Sequence, residues 1–283
     1  MAIREASKEA PVFESVDDFL SAPETPSGLF VIMIGGHPAD FRYDDRGHET
    51  TVVLLHPAIN SRVKRLPVFI GSGVTESLHV NRLLVSDSSL SLHEGIQAGW
   101  FAGNSKQPEL QAALAMIFEK VTAGKRTIYF GLSAGGFASL VFSSVHPGSI
   151  AVPVNPQTHL ANHPSPRVRK WTIHAWGLNS PSDERAKEMP PVLTDVCDLY
   201  SQPLENRVAY IQNTGDEEHM RIHWKRFKDE VHPQNLAGSA LVYAADGHIA
   251  PSVAYMTAVL DVVVNAQSWD QVDFSAISVS PVR

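Results

Sequence analysis

The sequence is poor in cysteine. Cys197 is the single cysteine among 283 residues, so no disulfide can form within one chain. Zinc and iron–sulfur centres built from several cysteines are excluded for the same reason. We interpret Cys197 as a small buried side chain.

Long apolar runs and clustered positive charge are also scarce. The best candidate for a membrane span, 258–264, is short and is interrupted by Asp261, whereas a span needs about 20 apolar residues. The formal net charge is −7, and the one notable basic run is 167–170, which argues against a nucleic-acid partner. The N-terminus lacks the apolar core of a signal peptide. We therefore predict a cytoplasmic protein with no membrane span.

Apolar residues are abundant, at 43% of the chain, and suffice for a sizeable core. Short β-branched runs alternate with helix-like stretches, which predicts an α/β fold: a mostly parallel sheet with helices on both faces. The predicted strands are 29–34, 51–55, 82–86, 127–130, 150–154, 208–212 and 240–244, and the predicted helices are 15–20, 109–121, 136–145, 217–231 and 251–267.

The same pattern divides the chain. Residues 1–26 are rich in serine, proline and acidic residues, and we interpret them as a leader that packs on the domain formed by 27–283. The proline-rich stretch 155–206 interrupts the alternation of strands and helices. It predicts an insertion that lies over the sheet as a lid.

One motif suggests chemistry. Gly131-Leu-Ser133-Ala-Gly135 has the form G-x-S-x-G, with a predicted strand before it and a predicted helix after it. This context is typical of a nucleophile elbow, in which the glycines permit a turn too tight for larger residues. The alternative is a small serine at an ordinary turn. A nucleophilic serine must lose its proton to a base, and an imidazole oriented by a carboxylate suits that role.

The chain supplies both partners later in its sequence. Asp216 follows one predicted strand directly, and His248 follows the next. Because the carboxyl ends of parallel strands meet at one edge of a sheet, we expect both side chains to lie near Ser133. Glu217 and Asp246 are alternatives for the acid, although Asp246 is expected to shape its own turn.

With these motifs in order, residues 27–269 resemble the α/β-hydrolase superfamily. The resemblance implies that Ser133 attacks a carbonyl carbon and that His248 transfers the serine proton to the leaving group. It also implies that Asp216 orients His248 and stabilises its charged form. No cofactor is implied.

The resemblance further implies an oxyanion hole. One donor would be the backbone N–H of Ala134. The second comes from a loop that usually reads His-Gly in the family, but here the loop reads His56-Pro57. Proline has no N–H, so we expect Ala58 to donate, with the side chain of Asn60 as an alternative.

These features predict a serine esterase that acts on a small-molecule or glycan acyl ester. We expect Trp100, Trp176 and Asn60 to contact substrate, although tryptophans in an insertion also form small cores. A fainter resemblance of 81–87 and 154–158 to hydrolase-like proteins linked to bacterial surface polysaccharide synthesis suggests a glycan acyltransferase or deacylase as an alternative. A non-catalytic binding protein that retains the fold is another. The oligomeric state is not determined by the sequence.

One pair of histidines has a spacing that could suit a metal site. His219 and His223 lie four residues apart on a predicted helix and would share one face. The zinc-protease pattern requires glutamate directly after the first histidine, where this chain has Met220. We therefore expect two solvent-facing histidines and no metal.

Overall fold

A nine-stranded sheet forms the centre of the protein. The computed structural model describes residues 3–4, 9–60, 62–63, 65–160, 163, 165–179, 183, 185 and 195–275. Parts of the predicted leader and of the predicted lid, and the C-terminal residues 276–283, lie outside these ranges. The strands are β1 (Ile3–Arg4), β2 (Val12–Phe13), β3 (Gly28–Ile34), β4 (His37–Asp44), β5 (Thr50–Leu55), β6 (Arg65–Leu66), β7 (Asn81–Ser86), β8 (Arg126–Leu132), β9 (Ile150–Val154), β10 (Arg207–Asn213) and β11 (Leu236–Val242).

The strand order of the sheet is β11-β10-β9-β8-β5-β7-β4-β3-β2, and β1 pairs separately with β6. All neighbouring pairs in the part of the sheet ordered β11-β10-β9-β8-β5-β7 are parallel. Strand β4 runs antiparallel to both of its neighbours, β7 and β3. Strands β5 and β7 are buried along their whole length, as continuous apolar runs predict.

Helices cover both faces of the sheet. They are α1 (Val16–Ser21), α2 (Ser72–Thr75), α3 (Leu110–Thr122), α4 (Ala134–Ser144), α5 (Pro166–Trp176), α6 (Cys197–Tyr200), α7 (Glu217–His219), α8 (Lys225–Glu230) and α9 (Val253–Asn265). A π-helical turn, Met220–Trp224, joins α7 to α8. No helix in the described ranges is long and apolar enough to cross a membrane.

Alternating side chains of β8 show the two layers. Ile128 and Phe130 pack in one cluster with Leu260 of α9, and Tyr129 packs on the other face with Phe118 of α3. Strand β8 therefore separates two apolar layers. The predicted architecture, a mostly parallel sheet with helices on both faces, is confirmed.

Strand β4 was not predicted. Its inward side chains, Ala39, Phe41 and Tyr43, are buried, and they alternate with more exposed polar ones. Gly35 and Gly36, both at positive φ, form its hairpin turn with β3. The signal was present in the sequence, but it has the period of a half-exposed antiparallel strand and not the continuous apolar run of a central one.

The described parts of the predicted leader and lid contact the domain. Phe19 of α1 is fully buried and stacks on Phe30 of β3 with ring centroids 5.6 Å apart. In α5, Val168 and Trp171 are buried in one cluster with Phe137 of α4. The functions of these segments as leader and lid stay predictions.

Candidate active site

Ser133 stands at a sharp turn between β8 and α4. Its backbone has φ 52° and ψ −110°, a conformation that costs energy for any residue with a side chain. Its N–H donates to the carbonyl oxygen of Val154 (2.8 Å), which attaches the turn to β9. The turn therefore presents the Ser133 hydroxyl at the carboxyl edge of the sheet.

Glycine is required on both sides of this turn. A Cβ on Gly131 would overlap the backbone of Gly135, and a Cβ on Gly135 would overlap the carbonyl group of Leu55 in β5. The helix and two strands approach each other too closely here for any side chain. This close approach is the physical reason for the spacing of the motif.

The structure brings together the three predicted triad residues. Nε2 of His248 lies 2.9 Å from Oγ of Ser133, and Nδ1 of His248 lies 2.6 Å from Oδ2 of Asp216. Because an ionised carboxylate only accepts, Nδ1–H donates to Asp216, and Nε2 is free to accept the serine proton. Of the alternative acids, Glu217 is exposed, and Asp246 is exposed and accepts from the hydroxyl of Tyr243.

Two buried asparagines fasten the loops of this site. Asn155, directly after β9, accepts the N–H of Asn213 at its Oδ1 (2.7 Å) and donates from Nδ2 to the carbonyl oxygen of Ile249 (2.9 Å). Asn213, at the end of β10, donates in turn to the carbonyl oxygen of Ala245 (2.7 Å). These bonds hold the loop that carries His248 against the strand ends.

The expectation of solvent-facing His219 and His223 is wrong. Their exposed fractions are 4% and 0%. His219 donates from Nδ1 to the carboxylate of Asp216 (3.1 Å), and His223 accepts at Nδ1 from the N–H of Thr158 (3.1 Å). Each histidine has polar partners inside the protein, so burial costs little.

The buried groups shift one another's pKa values. Burial alone would raise the pKa of Asp216, but hydrogen bonds from His219 and His248 outweigh it and hold that pKa well below its usual range. Burial, together with the nearby histidines, lowers the pKa of His163 to about 4 and that of His223 to about 2. Asp216 is therefore charged and His163 and His223 are neutral at pH 7.

Sequence reasoning missed Gln157, which contacts the serine directly. Its Nε2 lies 3.0 Å from Oγ of Ser133 and 3.0 Å from Nε2 of His219, and its Oε1 accepts the indole N–H of Trp100 (3.1 Å). Gln157 follows a predicted strand, β9, so the strand-end rule that selected Asp216 and His248 applies to it as well.

A cavity of about 240 Å³ opens at Ser133. Ala58 is half-buried and lines it, and Ala134 is the first residue of α4, where helical N–H groups lack an intrahelical acceptor. The full lining is Pro57, Ala58, Leu132, Ser133, Val154, Asn155, Arg167, His248 and Ala250.

The other residues expected to contact substrate lie elsewhere. Trp100 is buried behind Gln157, and Trp176 is buried against Trp171, with ring planes at 90°. Asn60 is exposed, and its side chain accepts the N–H of Arg62 (2.9 Å). None of the three lines the cavity at Ser133.

Ligand atoms of Asp216, His219 and His248 lie within 4.8 Å of one another, a spacing that a metal ion would tolerate. Hydrogen bonds already account for this proximity, because both imidazoles donate to the carboxylate. Their Nε2 atoms face Gln157 and Ser133, respectively.

Several solved structures have a similar fold. The capsule O-acetyltransferase of Neisseria meningitidis serogroup A superposes with a TM-score of 0.60 at 13% identity, covering 88% of this chain and 99% of that one. An S-formylglutathione hydrolase from Agrobacterium tumefaciens gives 0.54 at 12% identity, covering 86% and 96%. The sequence matches no protein-family model and no curated protein. At these identities the likeness shows the fold, and the predicted α/β-hydrolase fold is confirmed.

Proposed function

We propose that this protein, with its α/β-hydrolase fold, is a serine hydrolase that cleaves carboxylic esters through a covalent acyl-enzyme. The observation that carries the proposal is the unbroken hydrogen-bond path from the Ser133 hydroxyl through His248 to the buried carboxylate of Asp216. A hydroxyl, a neutral imidazole and a carboxylate in this order are the parts that activate a serine.

In the acylation step, Oγ of Ser133 attacks the carbonyl carbon of the ester while its proton passes to Nε2 of His248. Asp216 accepts a hydrogen bond from Nδ1–H of the resulting imidazolium and stabilises its positive charge. The intermediate then collapses, the C–O bond to the leaving alcohol breaks, and His248 gives the proton to that alcohol. The acyl group remains as an ester on Ser133.

Deacylation repeats these transfers with water as the nucleophile. Water gives one proton to His248 as its oxygen attacks the acyl carbon. The bond to Oγ then breaks, and the same proton returns to Ser133. The products are a carboxylic acid and free enzyme.

The negative oxygen of each tetrahedral intermediate needs preorganised donors. We assign this role to the backbone N–H groups of Ala134 and Ala58. Ala134 is the residue after the serine, and Ala58 follows a proline that has no N–H to give. Removing one such donor typically costs about 3–4 kcal/mol of transition-state stabilisation.

The cavity suggests the kind of substrate. Its volume of about 240 Å³ lies below the roughly 300–1,000 Å³ of ordinary ligand pockets, which favours a short acyl group. Arg167 lines it and forms no salt bridge with the carboxylates that the structure describes. We infer that Arg167 attracts a carboxylate or phosphate on the substrate.

The test begins with the serine. A fluorophosphonate should add once to the wild type, as measured by intact mass, and should add to neither Ser133→Ala nor His248→Ala. Ser144→Ala is a matched control. The hydroxyl of Ser144 donates a hydrogen bond to the carbonyl oxygen of Val141 in α4 (2.7 Å), so its removal should not affect labelling. A folded wild type that takes no label would contradict the proposal.

The acyl acceptor is tested separately, since acyl transfer and hydrolysis share the acyl-enzyme. We expect acetyl and butyryl esters to release free acid, and longer esters to react more slowly. If sugar alcohols added to the reaction were acylated in preference to water, the glycan acyltransferase alternative would replace hydrolysis.

A further inference from the structure

Ser133 has a second polar neighbour besides His248. Gln157 is buried, with 3% of its surface exposed, and its Nε2 lies 3.0 Å from Oγ of Ser133. A buried amide is costly unless its hydrogen bonds are satisfied. The direction of those bonds therefore determines what Gln157 offers to the serine.

Trp100 fixes the orientation of the amide. An indole nitrogen can only donate, so the atom of Gln157 that lies 3.1 Å from Nε1 of Trp100 is the oxygen. The amide nitrogen then faces both Ser133 and His219.

His219 can accept from that nitrogen. Its Nδ1–H is used on Asp216, which leaves Nε2 as an acceptor for one N–H of Gln157 (3.0 Å). The other N–H of Gln157 is directed at Oγ of Ser133.

The serine proton has a different destination. Oγ lies 2.9 Å from Nε2 of His248 but 3.5 Å from Oε1 of Gln157, so the proton points to His248. Oγ therefore donates to His248 and accepts from Gln157 at the same time. Two hydrogen-bonded routes lead from Gln157 to Asp216, one through Ser133 and His248 and the other through His219.

We propose that Gln157 is a further catalytic residue, whose N–H stabilises negative charge on Oγ of Ser133. This inference rests on the proposed function. As Oγ attacks, its proton leaves to His248 while the N–H of Gln157 stays in place. In deacylation the C–Oγ bond breaks and its electron pair returns to Oγ, where the same N–H stabilises the departing oxygen until His248 returns the proton. His219 acts as a positioning residue that holds the amide.

The experiment compares Gln157→Met with the wild type in the pre-steady state. Methionine has a similar shape but no N–H. Because this donor bonds to the nucleophile and not to the oxyanion, we expect a smaller loss than for an oxyanion-hole donor, with acylation and deacylation of a p-nitrophenyl ester each slowed by about 10- to 100-fold. The dissociation constant of the substrate, obtained from the same pre-steady-state data, should change little, because the hydrogen bond of Gln157 is to the enzyme's own oxygen and not to the substrate.

Asn206→Leu is the matched control. Nδ2 of Asn206 is buried and donates to the hydroxyls of Ser143 (2.8 Å) and Tyr200 (2.9 Å), away from the cavity. This variant should lose stability but keep both rates. A merely structural role for Gln157 would give the two variants the same pattern, and rates of Gln157→Met within twofold of the wild type would overturn the proposal.

A second variant covers failure of Gln157→Met to fold. Trp100→Phe keeps Gln157 but removes the donor that fixes its amide, so the oxygen can turn towards Ser133. We expect acylation to slow several-fold, and an unchanged rate would count against the assignment. Labelling of wild-type Ser133 with unchanged Gln157→Met rates would overturn this inference alone, whereas an unlabelled wild type would overturn the proposed function and this inference with it.

Discussion

His219 and His248 stack on each other with ring centroids 4.0 Å apart and an angle of 20° between the rings. Both donate from Nδ1 to the one carboxylate of Asp216. They differ in what the other nitrogen meets: Nε2 of His248 faces Ser133, and Nε2 of His219 faces Gln157. One buried charge thus orients two imidazoles, of which only one reaches the serine.

This shared arrangement gives the first prediction. Phenylalanine at either position keeps a flat ring for the stack but removes the nitrogens. His248→Phe should abolish fluorophosphonate labelling and reduce kcat/KM by about 10³-fold or more, because no base remains. His219→Phe should still take one adduct and lose about 10-fold in kcat/KM. Equal losses in the two variants would contradict the assignment of His248 as the base.

The second prediction concerns the turn at Ser133. In Gly135→Ala, the added methyl group would meet the carbonyl oxygens of Leu55 and His56, so the free energy of unfolding should fall by about 3 kcal/mol or more. Gly73→Ala is the control, since nothing lies within 4 Å of a Cβ there, and its effect should stay within about 1 kcal/mol. Urea denaturation measures both, and a stable Gly135→Ala would show that the turn is less tightly packed.

The third prediction concerns Arg167. If its guanidinium attracts an anionic part of the substrate, Arg167→Gln should raise KM about 10-fold for an ester that carries a carboxylate and leave a neutral ester unchanged. Added salt should weaken the wild-type preference. Arg169→Gln is the matched control, because Arg169 is exposed on the same helix but does not line the cavity. Similar KM values for the two variants would reject the inference.

The fourth prediction concerns pH and stability. His163 and His223 have folded-state pKa values of about 4 and about 2, below the unfolded value of about 6.5. The unfolded chain therefore binds more protons than the folded protein between those values. The contribution of the two neutral histidines to the free energy of unfolding is fully present above pH 6.5. It is lost as the pH falls, by up to about 1.4 kcal/mol per pH unit for each histidine.

Urea denaturation at pH 7 and pH 5 measures this dependence. His223→Phe should be less stable at pH 7, because the N–H of Thr158 loses its acceptor, but its stability should fall less between the two pH values. The exposed His79 serves as the control, and His79→Gln should keep the wild-type slope. A wild type whose stability is the same at both pH values would contradict the prediction.

The sequence predicted the layers of the fold from local patterns. Continuous apolar runs identified β5 and β7, and the turn between β8 and α4 followed from its glycines. Ser133, Asp216 and His248 each follow a predicted strand directly, which predicted that their side chains meet at one edge of the sheet. Their catalytic roles, and those of Ala58 and Ala134, stay predictions.

The sequence alone determined the features that depend on residues close together in the chain, which are the periodicity of helices and strands and the turn glycines. It also determined which side chains meet at one edge of the sheet, because parallel strands all end at the same edge. Tertiary structure alone decided the burial of His219 and His223 and the contact of Gln157 with Ser133. Trp100, which orients that amide, lies 57 residues away in the chain. The local sequence around a helical histidine is the same whether that side of the helix faces water or a buried carboxylate. Only the packing of the whole chain determines which of the two the histidine meets.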